Sequence, residues 1–144
     1  MPKTAEAFIE HCRRQHLRVT GPRRAIANVI AASTDHPDAF EIFQRVAATD
    51  PGISLATVYR TLKLFSQHGL IERHSFEGGR ARVERAAERH HDHLIDVTTN
   101  KIIEFRSDEI ERLQADIAKK LGYQLTGHRL ELYGRPIERA KKRR

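Results

Sequence analysis

The sequence contains a single cysteine, Cys12, among its 144 residues. One cysteine can form neither an intramolecular disulfide bond nor a cysteine-built zinc site, so the fold cannot depend on either. No stretch approaches the roughly 20 apolar residues that a membrane-spanning helix needs. The first residues have no apolar run after their charge, so we expect no signal peptide and a location in the reducing cytoplasm.

Positive charge is in excess, since 26 Lys and Arg against 19 Asp and Glu give a formal net charge of +7. In so short a chain this excess indicates an anionic partner, and nucleic acid is the first candidate. The charge alone does not establish such a partner, because many basic proteins merely have solvated charged surfaces. The length allows one ordinary domain or two small ones, and two small domains would need a partner chain to bury enough surface.

Helical periodicity predicts four helices in the first half, over residues 4–16, over 21–33, after Asp38 and over 54–68. Each begins at a residue that can cap it, namely Thr4, Thr20, Asp38 (in a capping box with Glu41) and Ser54. After the fourth helix, apolar and polar residues alternate. This alternation predicts strands over 70–76 and 80–85 joined by Glu77-Gly78-Gly79. Helices followed by a short hairpin are the order of a winged helix-turn-helix domain.

The second half is predicted to be a small α/β unit, so the fold class is α+β. Residues 93–98 and 101–106 form a second hairpin, Ser107 caps a helix, and residues 124–133 form a last strand. We expect a three-stranded antiparallel sheet and one long helix with the apolar stripe Ile110, Leu113, Ile117 and Leu121. A hinge is expected at about 84–91, and residues 136–144 are expected to be a disordered basic tail.

The predicted helix over 54–68 has the composition of a DNA-reading helix. Its apolar residues fall on one side, and the other side and its flanks carry Ala56, Thr57, Tyr59, Arg60 and Lys63. Small residues allow close approach to a major groove, where basic side chains reach guanine edges or phosphates. Arg18 and Arg23 could hold the DNA backbone, and Arg80 could lie along phosphates from the hairpin, which would be the wing. An ordinary amphipathic helix with a solvated polar face remains the alternative.

The run His90-His91-Asp92-His93 is the densest set of potential metal ligands in the sequence. In an extended segment, residues 91 and 93 point to one side and residues 90 and 92 to the other, so the run can contribute to two metal sites. The ligands available elsewhere are His36, Glu84, Glu104, Glu111 and His128. Nitrogen and oxygen ligands without thiolate suit Fe²⁺, Mn²⁺ or Zn²⁺, and carboxylates favour the first two. A histidine-rich surface loop is the alternative interpretation.

Several motifs, in this order, resemble those of the ferric uptake regulator family. They are SLATVYRTL at 54–62, FEGG at 76–79, HHDHLI at 90–95, IEF at 103–105 and LELYG at 130–134. The resemblance covers about residues 10–135, and several motifs at compatible spacing make it specific. It implies a cytoplasmic, dimeric, DNA-binding regulator, mainly a repressor, with a winged-helix domain over 1–85 and a metal-binding dimerisation domain over 86–135.

The same resemblance assigns ligands to two metal sites. A regulatory site would use His36, Glu84, His91, His93 and Glu104, and a second site would use His90, Asp92, Glu111 and His128. With Fe²⁺ or Mn²⁺ in the regulatory site, the dimer would bind palindromic operator DNA at genes of metal uptake and homeostasis. Zn²⁺ would also fit in vitro, dimers could pair into tetramers, and no membrane partner is implied.

The sequence departs from many family members at the Cys-x-x-Cys pairs that hold a structural zinc. The matching positions are Asp96 and Thr99, which excludes a Cys₄ zinc and fits the cysteine-free branch with its iron- and manganese-responsive regulators. Two other functions remain alternatives. One is a constitutive winged-helix DNA-binding protein with a purely structural metal, and the other is a metal-dependent hydrolase with Glu84 or Glu104 as general base. We expect no enzyme, because both glutamates are better explained as ligands.

Overall fold

The computed structural model describes residues 5–76, 79–86 and 90–138. The chain forms two compact units, Met1–Glu88 and Arg89–Arg144. Four predicted features lie wholly or partly outside the described residues: the Thr4 cap, the start of the wing turn at 77–78, residues 87–89 of the hinge, and the basic tail from residue 139.

The first unit has four helices and a two-stranded hairpin, in the order that the sequence predicts. The elements are α1 (Ala5–Arg14), α2 (Gly21–Ala32), α3 (Ala39–Ala47), α4 (Leu55–Gln67), β1 (Ile71–His74) and β2 (Arg82–Arg85). The strands are antiparallel, with Ile71 opposite Arg85 and His74 opposite Arg82. This is the architecture of a winged helix, with the hairpin after the last helix.

Side chains cap three of these helices where the sequence predicts it. The hydroxyl of Thr20 accepts from Arg23 N at 3.4 Å, and that of Ser54 accepts from Thr57 N at 3.1 Å. Asp38 and Glu41 form the reciprocal capping box, with distances of 2.8 and 3.2 Å. Such caps typically contribute about 0.5–2 kcal/mol each, because they satisfy backbone N–H groups that the helix leaves unpaired.

The apolar stripes of the four helices meet in one core. Phe8 of α1 and Phe65 of α4 are both at most 1% exposed, and their rings meet edge to face with centroids 5.3 Å apart. Ile26, Ile42 and Leu62 are fully buried around them. The core fixes which side of α4 faces inward, and therefore which side remains available to a partner.

The second unit is a three-stranded sheet and one helix. Its elements are β3 (Asp92–Asp96), β4 (Ile102–Phe105), α5 (Asp108–Lys120) and β5 (Glu131–Gly134), and the strand order is β4-β3-β5. The β3–β4 pair is antiparallel, with Asn100 at a positive φ of 62° in its turn. Ser107 caps α5 through a bond from Ile110 N at 3.3 Å, as predicted.

The prediction that this sheet is antiparallel throughout is wrong, because β5 runs parallel to β3. Since β4 runs back to the end where β3 begins, residues 106–130 must leave and return at that same end. Helix α5 and the irregular segment after Gly122 supply the length for this crossover, which a parallel pair requires. The last strand accordingly begins at Glu131 and not at residue 124.

Three of the four residues of the predicted apolar stripe face solvent in the single chain, and the fourth, Ile110, is half-buried. Leu113 is 60% exposed, Ile117 49% and Leu121 70%, and no residue of α5 is buried. Tyr123, just after the helix, is 75% exposed. Apolar side chains concentrated in this way mark a contact surface for another molecule.

No helix within the described parts of the chain has the length and apolar character needed to cross a membrane.

Candidate metal centres and nucleic-acid interface

His36 and Glu84 form a buried pair in the first unit. His36 lies in the connection between α2 and α3, Glu84 lies on β2, and the two are 6% and 8% exposed. His36 Nε2 is 2.8 Å from Glu84 Oε2. A buried carboxylate within hydrogen-bonding distance of an imidazole provides two ligands for a divalent cation.

The connection that carries His36 is fastened on both sides. Arg45 of α3 binds Asp35 with two hydrogen bonds of 2.9 and 2.6 Å and also donates to Ser33 Oγ at 2.9 Å. The hydrogen bond from Arg45 holds the pKa of Asp35 below its ordinary value. On the other side, Arg82 Nε donates to the carbonyl of His36. These bonds restrict the position of His36 relative to β2.

His74 is a neighbour of Glu84 that the sequence analysis did not identify. Its Nε2 lies 2.7 Å from Glu84 Oε1 and 3.4 Å from Glu72 Oε2. Glu72 and His74 are two residues apart and therefore lie on the same side of β1, and Glu72 is opposite Glu84 in the hairpin. In the sequence, the only indication of this group was the two-residue spacing of Glu72 and His74. That spacing points to Glu84 only when the register of the hairpin is known.

In the second unit, His91, His93 and Glu104 lie together. His93 is opposite Glu104 in the β3–β4 register, and His91 Nε2 is 3.5 Å from Glu104 Oε1. The rings of His91 and His93, which have one residue between them, have centroids 4.9 Å apart. The residues predicted for the regulatory site are therefore divided between the units, with His36 and Glu84 in the first and the other three in the second.

His90, Asp92, Glu111 and His128 form a compact group within the second unit, and their ligand atoms lie within 4.8 Å of one another. The Nε2 atoms of His90 and His128 are each 3.0 Å from Asp92 Oδ1 and 3.1 Å from each other. His128 Nε2 is 3.7 Å from Glu111 Oε1. Four elements or loops thus contribute one donor each around a single point.

This group fits a divalent first-row metal. Among the described residues, Asp92 Oδ2 and Glu111 Oε1 are buried without a hydrogen-bond partner, and leaving such oxygens unsatisfied is costly. The Asp92 side chain is fully buried. Two imidazoles and two carboxylates, with no thiolate, suit Fe²⁺, Mn²⁺ or Zn²⁺. A bound ion would satisfy the oxygens and neutralise their buried charge.

Helix α4 presents the predicted DNA-reading residues on its outer side. Ala56, Tyr59, Arg60 and Lys63 are exposed, and Tyr59 is 45% exposed. Thr57 is half-buried and accepts from Arg60 Nη2 at 3.2 Å. The opposite side, with Val58, Leu62 and Phe65, is buried in the core. The outer side therefore has the small, aromatic and basic composition suited to a major groove.

The other predicted DNA contacts lie outside α4. Arg18 is exposed, and its carbonyl accepts from Arg23 Nη1 at 2.8 Å. Arg80 is exposed beside the hairpin, with its guanidinium carbon 5.9 Å from the centre of the Phe40 ring. Arg18 and Arg80 therefore leave charge available for phosphate, whereas Arg23 is partly engaged in holding the α1–α2 connection.

Comparison with known proteins extends over most of the chain. The sequence model of the "Ferric uptake regulator family" matches residues 14–133. A "Ferric uptake regulation protein" of Rhizobium leguminosarum bv. viciae is 49% identical over 139 residues, covering 96% of this chain and 98% of the relative. Another, of Brucella abortus biovar 1, is 47% identical over 137 residues, covering 95% of this chain and 97% of the relative.

A solved structure is similar at the level of the fold as well. The structure described as "zinc-bound manganese uptake regulator" is 50% identical in sequence and superimposes with a TM-score of 0.78. The match covers 90% of this chain and 98% of that one.

Proposed function

Because the chain belongs to the ferric uptake regulator family, we propose that it is a metal-dependent transcriptional regulator, mainly a repressor, of genes for metal uptake and homeostasis. The observation that carries the metal part of this proposal is the pair of thiol-free donor sets, in which buried carboxylates lie within hydrogen-bonding distance of histidines. Relatives named for iron and for manganese have nearly the same identity to this chain, so both ions are proposed as signals.

The regulatory site is proposed to join His36 and Glu84 of the first unit with His91, His93 and Glu104 of the second. The bound ion would supply positive charge and a defined coordination geometry. Because each unit would contribute some of the ligands, all five could bind one ion only in certain arrangements of the two units. Metal then selects the arrangement that binds DNA, and coupling of this kind is typically about 1–3 kcal/mol, or about 5- to 150-fold in affinity.

DNA binding is proposed to use the outer side of α4, where Tyr59, Arg60 and Lys63 are exposed. Ala56 and Thr57 would allow close approach, while Arg18, Arg23 and Arg80 would contact phosphates. A palindromic operator would be bound by two copies of the chain, one for each half-site. This assignment agrees with the net charge of +7, which favours a polyanionic partner.

The partner chain is proposed to be a second copy that covers the exposed apolar residues Leu113 and Ile117 of α5 and Leu121 at its end. Dimers could pair further into tetramers. The protein would act in the cytoplasm, where its DNA target is found, and not as an enzyme. The second metal group would support the fold of the dimerisation unit or add to the regulation.

A metal titration tests the proposal directly. Chelated protein is titrated with Mn²⁺, and anaerobically with Fe²⁺, while fluorescence anisotropy follows its binding to palindromic operator DNA. Affinity should rise about 5- to 150-fold with metal and fall again on addition of chelator. The double variant His91→Ala/His93→Ala should lose this response, whereas the second-site variant His128→Ala provides a comparison within the same unit.

The opposite result would favour a constitutive DNA-binding protein. If unmetallated protein binds the operator as tightly and specifically as metallated protein while its melting temperature falls, the metal is structural. If metal-dependent binding survives in His91→Ala/His93→Ala, the ligands of the regulatory site are wrongly assigned.

A further inference from the structure

His74 contacts Glu84, the proposed metal ligand that also contacts His36. The Glu84 carboxylate has His36 Nε2 at 2.8 Å from Oε2 and His74 Nε2 at 2.7 Å from Oε1. An ionised carboxylate only accepts hydrogen bonds, so each imidazole donates to an ionised Glu84 from the tautomer that carries its proton on Nε2. The two oxygens of Glu84 are thus distinguished by their neighbours.

The position of His74 is set by regular structure and packing. It is the last residue of β1, and its ring stacks on Phe76 with centroids 5.6 Å apart and an interplanar angle of 22°. Phe76 is 6% exposed, and the His74 side chain is 13% exposed. Stacking on Phe76 and the contact of Nε2 with Glu84 restrict the direction in which the ring presents its N–H.

A hydrogen bond to one carboxylate oxygen influences how the other oxygen binds a metal. While His74 occupies Oε1, Glu84 offers Oε2, the oxygen beside His36, as a single donor. Residues that orient a ligand in this way typically change metal affinity about 10- to 100-fold when they are removed. They also influence which ion is preferred, because coordination number differs between Mn²⁺ and Zn²⁺.

We propose that His74 is a positioning residue for the regulatory site: it holds Glu84 so that this carboxylate binds the ion through one oxygen, and thereby sets metal affinity and selectivity. The proposal rests on the proposed function, since it takes Glu84 as a ligand. It assigns a role to the wing hairpin beyond contact with DNA, because β1 then takes part in sensing the metal.

The same side chains have a second possible use, which the experiment must distinguish. Ligand atoms of Glu72, His74 and Glu84 lie within 4.8 Å of one another and could hold an ion of their own. The Glu72 side chain is 53% exposed and its nearest oxygen is 3.4 Å from His74 Nε2, whereas Glu84 lies at 2.7 Å. This asymmetry favours a hydrogen bond to Glu84 over a three-ligand site.

The test measures Mn²⁺ affinity by chelator competition and bound metal per chain by elemental analysis, on full-length protein without DNA. His74→Leu removes the donor, His74→Gln keeps an amide N–H that can reach Glu84, and Glu72→Gln is the matched control on the same strand. We expect His74→Leu to bind Mn²⁺ about 10- to 100-fold more weakly with unchanged stoichiometry at saturation. His74→Gln should recover most of this loss, and Glu72→Gln should match the parent.

A spectroscopic measurement separates positioning from a general loss of structure. The d–d absorption of bound Co²⁺ at saturation should differ between the parent and His74→Leu, because the carboxylate can then bind through both oxygens. The Mn²⁺/Zn²⁺ affinity ratio should shift in the same variant. If His74→Leu fails to fold by circular dichroism, His74→Asn replaces it, since its shorter amide does not reach Glu84.

Two results would overturn the proposal. One is parental Mn²⁺ affinity and Co²⁺ absorption in a folded His74→Leu or His74→Asn protein. The other is loss of one whole equivalent of metal in both His74→Leu and Glu72→Gln, which would make His74 a ligand of a separate site. Failure of the proposed function is recognised separately, by parental Mn²⁺ affinity in Glu84→Gln or by operator binding that does not depend on metal.

Discussion

At the scale of the residue, Cys12 shows how burial determines chemistry. It lies on the core side of α1, is 2% exposed, and burial raises the pKa of its thiol. The thiolate is the reactive form of cysteine, so this residue is suited to packing and not to redox or metal chemistry. Regulation by the oxidation of Cys12 is therefore not expected while the core remains intact.

Cys12 should react with a disulfide reagent such as DTNB only when the first unit opens. At pH 8 we expect native protein to react more than about 100-fold more slowly than protein in denaturant, because the unfolded fraction is small. The control is a thiol at exposed residue 52 in a Cys12→Ala background (Gly52→Cys), where an added Cβ meets no atom within 4 Å. Equal rates for the two thiols would mean that α1 detaches readily from the core.

The sequence alone could divide the histidine run because alternation is a local property of an extended chain. The pairs His91 with His93 and His90 with Asp92 follow from a two-residue period without knowledge of the fold. His74 could not be found in this way. The contact of His74 with Glu84 depends on which residues of β2 lie opposite those of β1. The register of the hairpin sets this pairing, and the residue pattern around 70–76 does not specify the register.

At the scale of the element, the same contrast explains which predictions held. Helix starts were predictable because Thr20, Asp38, Ser54 and Ser107 each act on backbone groups within three residues. The direction of β5 was not predictable from such signals, because it depends on where the chain returns after α5. The direction of the last strand depends on pairing between residues far apart in the sequence, whereas the start of each helix depends on residues close to it.

The ion pair between α3 and the His36 connection predicts a pH-dependent contribution to stability. Because Arg45 lowers the pKa of Asp35, the contribution is fully present above the unfolded value of about 4 and is lost as pH falls through the folded value. Asp35→Asn should therefore lower the free energy of unfolding at pH 7 by up to about 1 kcal/mol, since the pair is partly exposed. The difference should shrink below about pH 4.

Urea denaturation of the parent and variant at several pH values measures this effect. Glu10→Gln is the control, since Glu10 pairs with Arg13 on the surface of α1 at 3.6 Å and such a pair contributes little. A destabilisation of Asp35→Asn that is the same at every pH would show that the Asp35 charge is not responsible.

At the scale of the whole molecule, the two units differ in how completely they bury their apolar residues. The first has a closed core around Phe8 and Phe65, whereas α5 of the second has no buried residue. A helix with an apolar stripe in solvent is stable only when another surface covers the stripe. A second copy of the chain is the partner proposed for this surface.

Leu113→Glu should therefore dissociate the proposed dimer. Burying a leucine stabilises by about 1.5–3 kcal/mol, and each variant residue would occur twice across a two-fold interface, so the dissociation constant should rise about 100-fold or more. Sedimentation equilibrium measures this change. Ala115→Glu, at an exposed position of the same helix, is the control because it also adds one negative charge. An unchanged dissociation constant in Leu113→Glu would place the interface elsewhere.

The alternation of residues 90–93 has a thermodynamic consequence for the proposed metal sites. Consecutive residues of one backbone serve different sites, so neither site can be filled without restraining the segment that supplies the other. Binding of the first ion includes the entropy cost of restraining residues 90–93. The second ion then binds to a segment that is already restrained, so its own binding includes less of that cost. Linkage makes that effect reciprocal: if filling the second site tightens the regulatory site by some factor, filling the regulatory site tightens the second by the same factor. The chain would then respond to metal concentration more steeply than two independent sites allow.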